Sequence, residues 1–196
     1  MSKRIFDLFF ATMGLLLISP LLVLISIGIK IDSKGPIFFR QKRVGRNGIC
    51  FFLIKFRSMH VRSENLNTIS VRGDDRITLF GKFLRRYKLD ELPELWNVVN
   101  GEMSLVGPRP DVPGYADNLQ NNDRLVLKMR PGITGPASIK YANEELLLSK
   151  QDNPRKYNDE VIFPDKVRIN LEYYNNRSLY LDIKIIFATI FRTSYK

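Results

Sequence analysis

Two adjacent carboxylates, Asp90 and Glu91, have basic residues on both sides within a short stretch of the chain. Arg85 and Arg86 precede them, and Arg109 follows them between two prolines in the sequence G-P-R-P. A guanidinium held rigidly in this way is suited to bidentate binding of phosphate oxygens. The alternative is local, in that Asp90 caps a helix and Glu91 complements the helix dipole. Because capping does not explain the arginine between prolines, we interpret the stretch as a phosphate site beside two carboxylates.

Helices on both sides would position this pair of carboxylates. Asp90 is a good N-cap residue and Pro93 is tolerated only in a first turn, so we expect a helix from Asp90 to about Asn100. Gly101 would end it. Upstream, apolar residues at helical spacing predict an amphipathic helix that stops near Lys88. Its apolar residues are Ile77, Phe80, Phe83, Leu84 and Tyr87, opposite Lys82, Arg85 and Arg86.

The chain after residue 34 is predicted to form a compact domain of the α+β class, mainly helical. Two β-type runs, Ile37–Phe39 and Ile49–Phe56, flank the Gly45–Gly48 turn and predict a short β-hairpin. The polar stretch Val61–Arg76 is expected to be a surface loop. A final amphipathic helix, Leu179–Phe191, would pack either on the core or on a membrane surface.

Composition limits the class of protein. The 196 residues are 44% hydrophobic and 26% charged, which is typical of a globular protein. A net charge of +11 predicts an anionic partner, either nucleic acid, an acidic membrane surface or a phosphorylated substrate. With only Cys50 and His60 of their types, the chain has no intramolecular disulfide and no Cys/His zinc cluster. We expect Cys50 to be a small core residue and His60 to be structural.

One segment of the sequence is suited to a membrane. Leu8–Ile29 is a run of 22 residues without a charge. A straight helix of that length is about 33 Å long, enough to cross a hydrocarbon core of about 30 Å. A spanning helix is therefore the simplest interpretation. A cleaved signal peptide is disfavoured, because the run is long and no A-x-A-like site follows it.

Two features favour a helix that enters the membrane and returns to the same side. Pro20, preceded by Ser19, should kink the helix into arms of 12 and 10 residues, which reach about 18 and 15 Å. The Ser19 hydroxyl could bind a carbonyl that the proline leaves free. Basic residues flank both ends of the run, so the positive-inside rule places both ends in the cytoplasm. They are Lys3, Arg4, Lys30, Lys34, Arg40, Lys42 and Arg43. The residues alone leave the spanning and re-entrant alternatives balanced.

Motifs along nearly the whole chain resemble those of the monotopic phosphoglycosyl transferases, also called bacterial sugar transferases. The Ser19-Pro20 helix, QKRVG and KFRSM resemble their re-entrant membrane helix and their Q-x-R-x-G and K-F-R-S-M elements. The stretch LDELPELWNVVNGEMSLVGPRP resembles their Asp-Glu dyad and G-P-R-P loop, and RPGITG matches a further motif. The resemblance implies a re-entrant membrane helix within residues 1–34, kinked at Ser19 and Pro20, and a cytoplasmic catalytic domain over residues 35–196.

The resemblance also implies a reaction. A sugar-1-phosphate passes from a UDP-sugar to a polyprenyl phosphate such as undecaprenyl phosphate, with release of UMP, as the first membrane step of bacterial glycoconjugate synthesis. Asp90 matches the nucleophile, which would form an aspartyl phosphosugar, and Glu91 matches the glutamate expected to act on the acceptor phosphate. Lys55, Arg85 and Arg109 match phosphate-binding positions. Mg²⁺ is implied, with Asp90 as its ligand. The site would face the cytoplasm at the inner membrane, in contact with anionic inner-leaflet lipids.

Several points stay open at this stage. Arg57 and Arg86 are alternative phosphate ligands, and Arg130 is a weaker candidate. The segment Pro136–Tyr141 departs from the common family pattern, so the transferred sugar is not determined. Two other classes remain, a membrane-tethered nucleic-acid-binding module and an inactive anchoring protein. Because the nucleic-acid interpretation leaves the two carboxylates and the G-P-R-P sequence unexplained, we predict no nucleic acid partner.

Overall fold

The computed structural model describes residues 2–61 and 76–195 of the chain. The predicted surface loop Val61–Arg76 therefore lies almost wholly outside the described residues. Within these residues the chain forms eight α-helices and four short strands, so the mainly helical α+β class is confirmed.

The first helix, α1 (Ser2–Asp32), contains the whole apolar run. One of its faces packs on the rest of the protein, through Asp7, Ala11, Leu22, Ile25 and Ile29. Ser19 Oγ donates a 2.8 Å hydrogen bond to the carbonyl of Leu16, the carbonyl that Pro20 cannot bind because it lacks an N–H. The expected compensation at Pro20 is thus confirmed. The helix continues through Pro20 without separating into two arms, and the re-entrant path stays a prediction.

Most of the apolar surface of α1 is exposed. It is long and apolar enough to cross a membrane, and only 17% of its most apolar window is buried inside the protein. Its large exposed side chains are Ile5, Leu8, Phe9, Phe10, Met13, Leu16, Leu17, Leu21, Val23, Leu24, Ile27 and Ile31. An exposed apolar patch of this size marks a membrane or protein contact.

Two strands, β1 (Phe38–Val44) and β2 (Cys50–Phe56), form the predicted antiparallel hairpin, with a longer first strand than expected. One face of β2 is buried through Phe51 and Leu53. Since neighbouring residues of a strand point to opposite faces, Cys50 is exposed, and the prediction of a core cysteine is wrong.

Two helices flank the acidic pair. The predicted amphipathic helix is α2 (Leu79–Arg86), with Thr78 as its N-cap. The next helix, α3 (Glu94–Asn100), begins later than predicted but ends as predicted at Gly101, which has a left-handed φ of 86°. Leu84 of α2 and the buried face of α1 belong to one apolar cluster, so α1 supports the helix that precedes the acidic pair.

A parallel pair of strands, β3 (Ser104–Val106) and β4 (Gly132–Thr134), brings the G-P-R-P loop beside the R-P-G-I-T-G segment. The Gly107 N–H donates to the Thr134 carbonyl at 2.9 Å. A Cβ on Gly107 would lie 2.4 Å from the carbonyl oxygen of Arg130, so this close approach requires glycine. The R-P-G-I-T-G segment is therefore the support on which the loop rests.

Five helices complete the fold: α4 (Pro136–Lys140), α5 (Glu144–Leu148), α6 (Pro154–Tyr157), α7 (Phe163–Asn176) and α8 (Leu179–Phe191). The last has the predicted bounds. Its Ile185 is buried in a cluster with Val106 and Val167, whereas Phe187 and Ile190 are exposed. Core packing thus explains one face of α8 and leaves an apolar face uncovered.

Candidate active site

The two carboxylates lie in a single 3₁₀ turn, Leu89–Glu91, between α2 and α3. The prediction that Asp90 caps the following helix is wrong, because Pro93 occupies the N-cap position. An Asp90 cap would need the N–H groups two or three residues later. Pro93 has no N–H, and the N–H of Leu92 already donates to the carbonyl of Leu89. The Asp90 carboxylate is therefore not used as a cap.

Asp90 is buried with one oxygen unsatisfied. Its exposed fraction is 8%, and its Oδ1 has no hydrogen-bond partner in the part of the chain that the structure describes. Burial and the charge of Glu91 raise the pKa of Asp90, while Lys55 and Arg85 act in the opposite direction. An unpaired buried acceptor costs about 1–3 kcal/mol, which makes this oxygen a candidate to bind a group outside the protein.

Glu91 has the opposite surroundings. It accepts a 2.9 Å hydrogen bond from Lys55 Nζ and bonds from both terminal nitrogens of the Arg109 guanidinium. Burial alone would raise the pKa of Glu91, but the charges of Arg109 and Lys55 outweigh it and hold this pKa well below its usual range. Glu91 is thus an ionised carboxylate that orients both cations.

A third carboxylate, Glu94, was not singled out from the sequence. It is 1% exposed, and its Oε1 lies 3.2 Å from Lys55 Nζ. Burial and the charge of Glu91 raise the pKa of Glu94, and Lys55 opposes them. The available signal was its spacing, because Glu94 follows Glu91 by three residues and residues so spaced share a helix face.

The G-P-R-P loop that contains Arg109 is held by the β-hairpin. The guanidinium of Arg43 donates to the Pro110 carbonyl at 2.9 Å and to Gln41 Oε1 at 2.6 Å. The Val44 N–H also donates to the carbonyl of the residue after the loop, Asp111, at 2.9 Å. The Q-x-R-x-G element therefore positions the loop that contains Arg109, and the Arg43 charge also interacts with Glu91.

The other basic candidates fall into two groups. Arg85, in the last turn of α2, pairs with Glu145 of α5, and its charge acts on the Asp90 carboxylate. Arg86 is exposed beside Tyr87. Arg57 donates to two carbonyls that follow α1, and Arg130 donates to the carbonyl that ends α3. Arg57 and Arg130 thus stabilise helix ends.

One cleft of about 2500 Å³ brings together the five predicted site residues, Lys55, Arg85, Asp90, Glu91 and Arg109. Sites for one small molecule are typically about 300–1,000 Å³, so the cleft is large enough for two substrates. His60 also lines it, and its structural role stays a prediction.

The residues of the cleft offer a magnesium ion one suitable oxygen ligand. Mg²⁺ prefers oxygen ligands and commonly binds through one or two carboxylates together with substrate phosphates. The unpaired Oδ1 of Asp90 is such an oxygen. Among residues 2–61 and 76–195, no group of three or more Asp, Glu, His or Cys side chains is arranged to hold a metal. Asp90 would therefore hold the ion jointly with the phosphates of a substrate.

Comparison with known proteins decides the family. The model of the family described as bacterial sugar transferase matches residues 1–196. The chain is a bacterial sugar transferase family member. The resemblance inferred from the motifs is thereby confirmed.

Several relatives of this family member are named for their functions. It is 42% identical to an undecaprenyl-phosphate glucose phosphotransferase of Komagataeibacter xylinus, over 98% of the chain and 36% of that relative. It is 40% identical to a UDP-glucose:undecaprenyl-phosphate glucose-1-phosphate transferase of Escherichia coli K12, over 97% and 39%. The chain thus spans under two fifths of these two proteins. It spans 84% of exopolysaccharide production protein ExoY of Rhizobium meliloti, at 34% identity over 97% of the chain.

Proposed function

We propose that this family member transfers a sugar-1-phosphate from a UDP-sugar to a polyprenyl phosphate and releases UMP. The observation that supports this most is the buried Asp90 carboxylate, whose Oδ1 has no partner and which lines the cleft beside Lys55, Arg85 and Arg109. The acceptor is undecaprenyl phosphate and the first donor to test is UDP-glucose, because relatives are named for these compounds.

The proposed reaction has two displacements at one phosphorus. An Asp90 oxygen attacks the phosphorus next to the sugar, and the bond to the bridging oxygen breaks, so that UMP leaves with the electron pair. A phosphate oxygen of the polyprenyl phosphate then attacks the same phosphorus and displaces the Asp90 carboxylate, which regenerates the enzyme. A bound Mg²⁺ would offset the repulsion between the carboxylate and the diphosphate.

The neighbouring side chains have separate roles in this proposal. Arg109 presents a planar guanidinium that binds phosphate oxygens in pairs, and Lys55 and Arg85 add positive charge around them. Glu91 holds Arg109 and Lys55 in place through its ion pairs. When the acceptor enters, Glu91 orients or deprotonates its phosphate. The raised pKa of Asp90 makes it the more basic carboxylate and the better nucleophile.

The same proposal includes a monotopic topology at the cytoplasmic face of the inner membrane. Near its start, α1 is tied to the catalytic body, because Arg4 donates to the carbonyls of Val98 and Val99 at 2.7 and 3.0 Å. Just after its end, Arg57 binds two carbonyls at 2.6 and 2.7 Å. Contacts of both ends of α1 with the same soluble part of the protein support a topology in which both ends lie on one side of the bilayer.

The test is turnover by the purified chain in lipid nanodiscs with Mg²⁺, undecaprenyl phosphate and a panel of UDP-sugars. The proposal expects UMP release that requires the lipid phosphate, and loss of release on Asp90→Asn. Full turnover by Asp90→Asn would exclude covalent catalysis by this residue. Absence of UMP release with every donor, combined with salt-sensitive oligonucleotide binding, would favour the nucleic-acid-binding module instead.

A further inference from the structure

The cleft extends beyond the phosphate-binding residues to helices α4 and α7. The cleft-lining residues of α7 are Phe163, Lys166, Val167 and Asn170. Their spacing of three, four and seven residues places them on one face of the helix. Ser138 of α4, a helix that packs against α7, lines the same cleft. This part of the wall includes none of the residues assigned above to the reaction.

Two polar atoms in this wall lack partners. Asn170 is 7% exposed, and its Oδ1 has no hydrogen-bond partner. Ser138 is half-buried, but its hydroxyl oxygen is shielded from solvent and, like the Asn170 Oδ1, has no hydrogen-bond partner among the described residues. Four other such atoms occur among the described residues, namely one in each of Arg43, Arg57, Asp90 and Glu94. Those four belong to the site or to arginines that bind through their other nitrogens, whereas no contact within residues 2–61 and 76–195 explains Asn170 and Ser138.

Charged residues connect this wall to the part of the cleft that contains Arg109. Asp111 follows the G-P-R-P loop directly, and its carboxylate interacts electrostatically with both Arg109 and Lys166. Lys166 is already held by Glu144, at 2.7 and 2.8 Å from the two carboxylate oxygens. Its charge is thus compensated, and Asn170, one turn further along α7, is a neutral hydrogen-bonding group of this wall.

We propose that Asn170 and Ser138 form a second polar subsite, which binds the part of the donor that is not phosphate. This rests on the proposed function. The Asn170 Oδ1 accepts a hydrogen bond from an O–H or N–H of the donor, and the Ser138 hydroxyl donates or accepts a second one. Two groups of the donor could supply this hydrogen bond, namely a sugar hydroxyl or the uracil N–H. Ser138 lies within Pro136–Tyr141, the segment that departs from the common family pattern.

Steady-state kinetics of single substitutions test this subsite. Asn170→Ala and Ser138→Ala are compared with Asn175→Ala, which changes an exposed residue of α7 outside the cleft. We expect each of the first two to lower kcat/KM for the best UDP-sugar about tenfold at saturating undecaprenyl phosphate, and the control to match wild type. Circular dichroism melts check folding, and Ser138→Ala, which removes one oxygen, provides a minimal change if Asn170→Ala is unstable.

Two further measurements distinguish the sources of the hydrogen bond. Contact with the sugar predicts that the variants discriminate less between UDP-glucose and UDP-galactose, with unchanged calorimetric affinity for UDP. Contact with the base predicts equal losses for all donors and weaker UDP binding. Wild-type kcat/KM and UDP affinity in both variants would overturn the subsite. A wild-type chain that turns over no donor would instead contradict the proposed function.

Discussion

Asp90 and Glu91 are neighbours in the chain, yet their surroundings shift their pKa values in opposite directions. Burial raises the pKa of Asp90. Burial also acts to raise that of Glu91, but Arg109 and Lys55 outweigh it and the pKa falls. Opposite shifts within a pair of carboxylates are the pattern of two groups that divide two chemical roles. In the proposed mechanism, Glu91 is the ion-paired anchor and Asp90 is the basic carboxylate that meets the substrate.

The first prediction at the residue scale concerns the covalent intermediate. Asp90→Asn should lower turnover on the order of 10³-fold or more, because an amide cannot form the acyl phosphate. With sugar-labelled donor and Mg²⁺ but no acceptor, label should stay on wild-type protein and on Glu91→Gln, and be absent from Asp90→Asn. Protein-bound label that survives Asp90→Asn would place the nucleophile elsewhere.

A second prediction follows from the raised pKa of Asp90. A carboxyl whose pKa is higher in the folded state binds more protons there, so its contribution to stability falls as pH rises from the unfolded pKa, about 3.9, through the folded pKa. Ionised Asp90 is therefore destabilising at pH 7. Asp90→Asn should raise the Tm at pH 7. This increase in Tm should disappear below about pH 4, where the Asp90 carboxyl is protonated in both the folded and the unfolded state. A lower Tm at pH 7 would show that the carboxylate stabilises the fold.

The third prediction concerns the guanidinium of Arg109. Arg109→Lys keeps the charge but loses the planar pair of donors, so kcat/KM should fall about tenfold, equivalent to about 1.4 kcal/mol of transition-state stabilisation. Arg86→Lys is the matched control, because Arg86 is exposed and makes no ion pair with Glu91. Equal effects of the two substitutions would contradict phosphate binding by Arg109.

At the scale of elements, α1 is attached to the rest of the protein along one face and at both ends. Asp7 is buried near its start and accepts bonds from Ser104 Oγ at 2.8 Å and the Leu105 N–H at 3.2 Å. At its other end, Asp32 accepts a 3.4 Å bond from the Phe80 N–H of α2. These polar contacts leave the opposite, apolar face of α1 exposed, as a contact with a membrane would require.

Topology can be tested with single cysteines. In a Cys50→Ser background, which removes the exposed native thiol, Ser2→Cys and Lys34→Cys should both react with an impermeant thiol reagent only from the cytoplasmic side. Opposite sidedness of the two positions would contradict the monotopic topology. Replacing Ser19 and Pro20 by leucine in the same background tests the kink, and crossing of the N-terminus is expected because the apolar run is then free to span.

At the scale of the whole molecule, the chain combines an apolar helix with a net charge of +11. The exposed apolar face of α8 adds Tyr180, Phe187, Ile190 and Phe191, with Lys184 and Arg192 nearby. Apolar side chains flanked by lysine and arginine favour the surface of an anionic leaflet.

The corresponding prediction concerns lipid charge. The chain should bind vesicles of phosphatidylcholine with phosphatidylglycerol more tightly than vesicles of phosphatidylcholine alone, and added salt should reduce the difference. Lys184→Glu should also reduce the preference for anionic vesicles. Lys150→Glu, at an exposed position beyond α5, is the control and should leave that preference unchanged. Equal binding to both vesicle types would contradict the contribution of anionic lipids.

The sequence by itself determined the elements that depend on local pattern. The hairpin followed from β-type runs around a glycine turn, and α2 and α8 followed from apolar residues at helical spacing. The site residues were found because their types and motifs matched a reaction, and the cleft brings all five together. Local propensity gave the wrong start for α3, because the use of the N–H groups around Pro93 decided where that helix begins.

Only the tertiary structure decided which charged groups are paired and which are buried without a partner. Lys55 reaches Glu91 across 36 positions of the chain, and Arg109 reaches it across 18. Burial left the Asp90 oxygen unpaired and brought Glu94 to Lys55, and neither follows from spacing along the chain. Desolvation and ion pairing depend on which distant segments surround a group. The same residues therefore predict a phosphate site from sequence, whereas their proposed division into nucleophile and anchor depends on the fold.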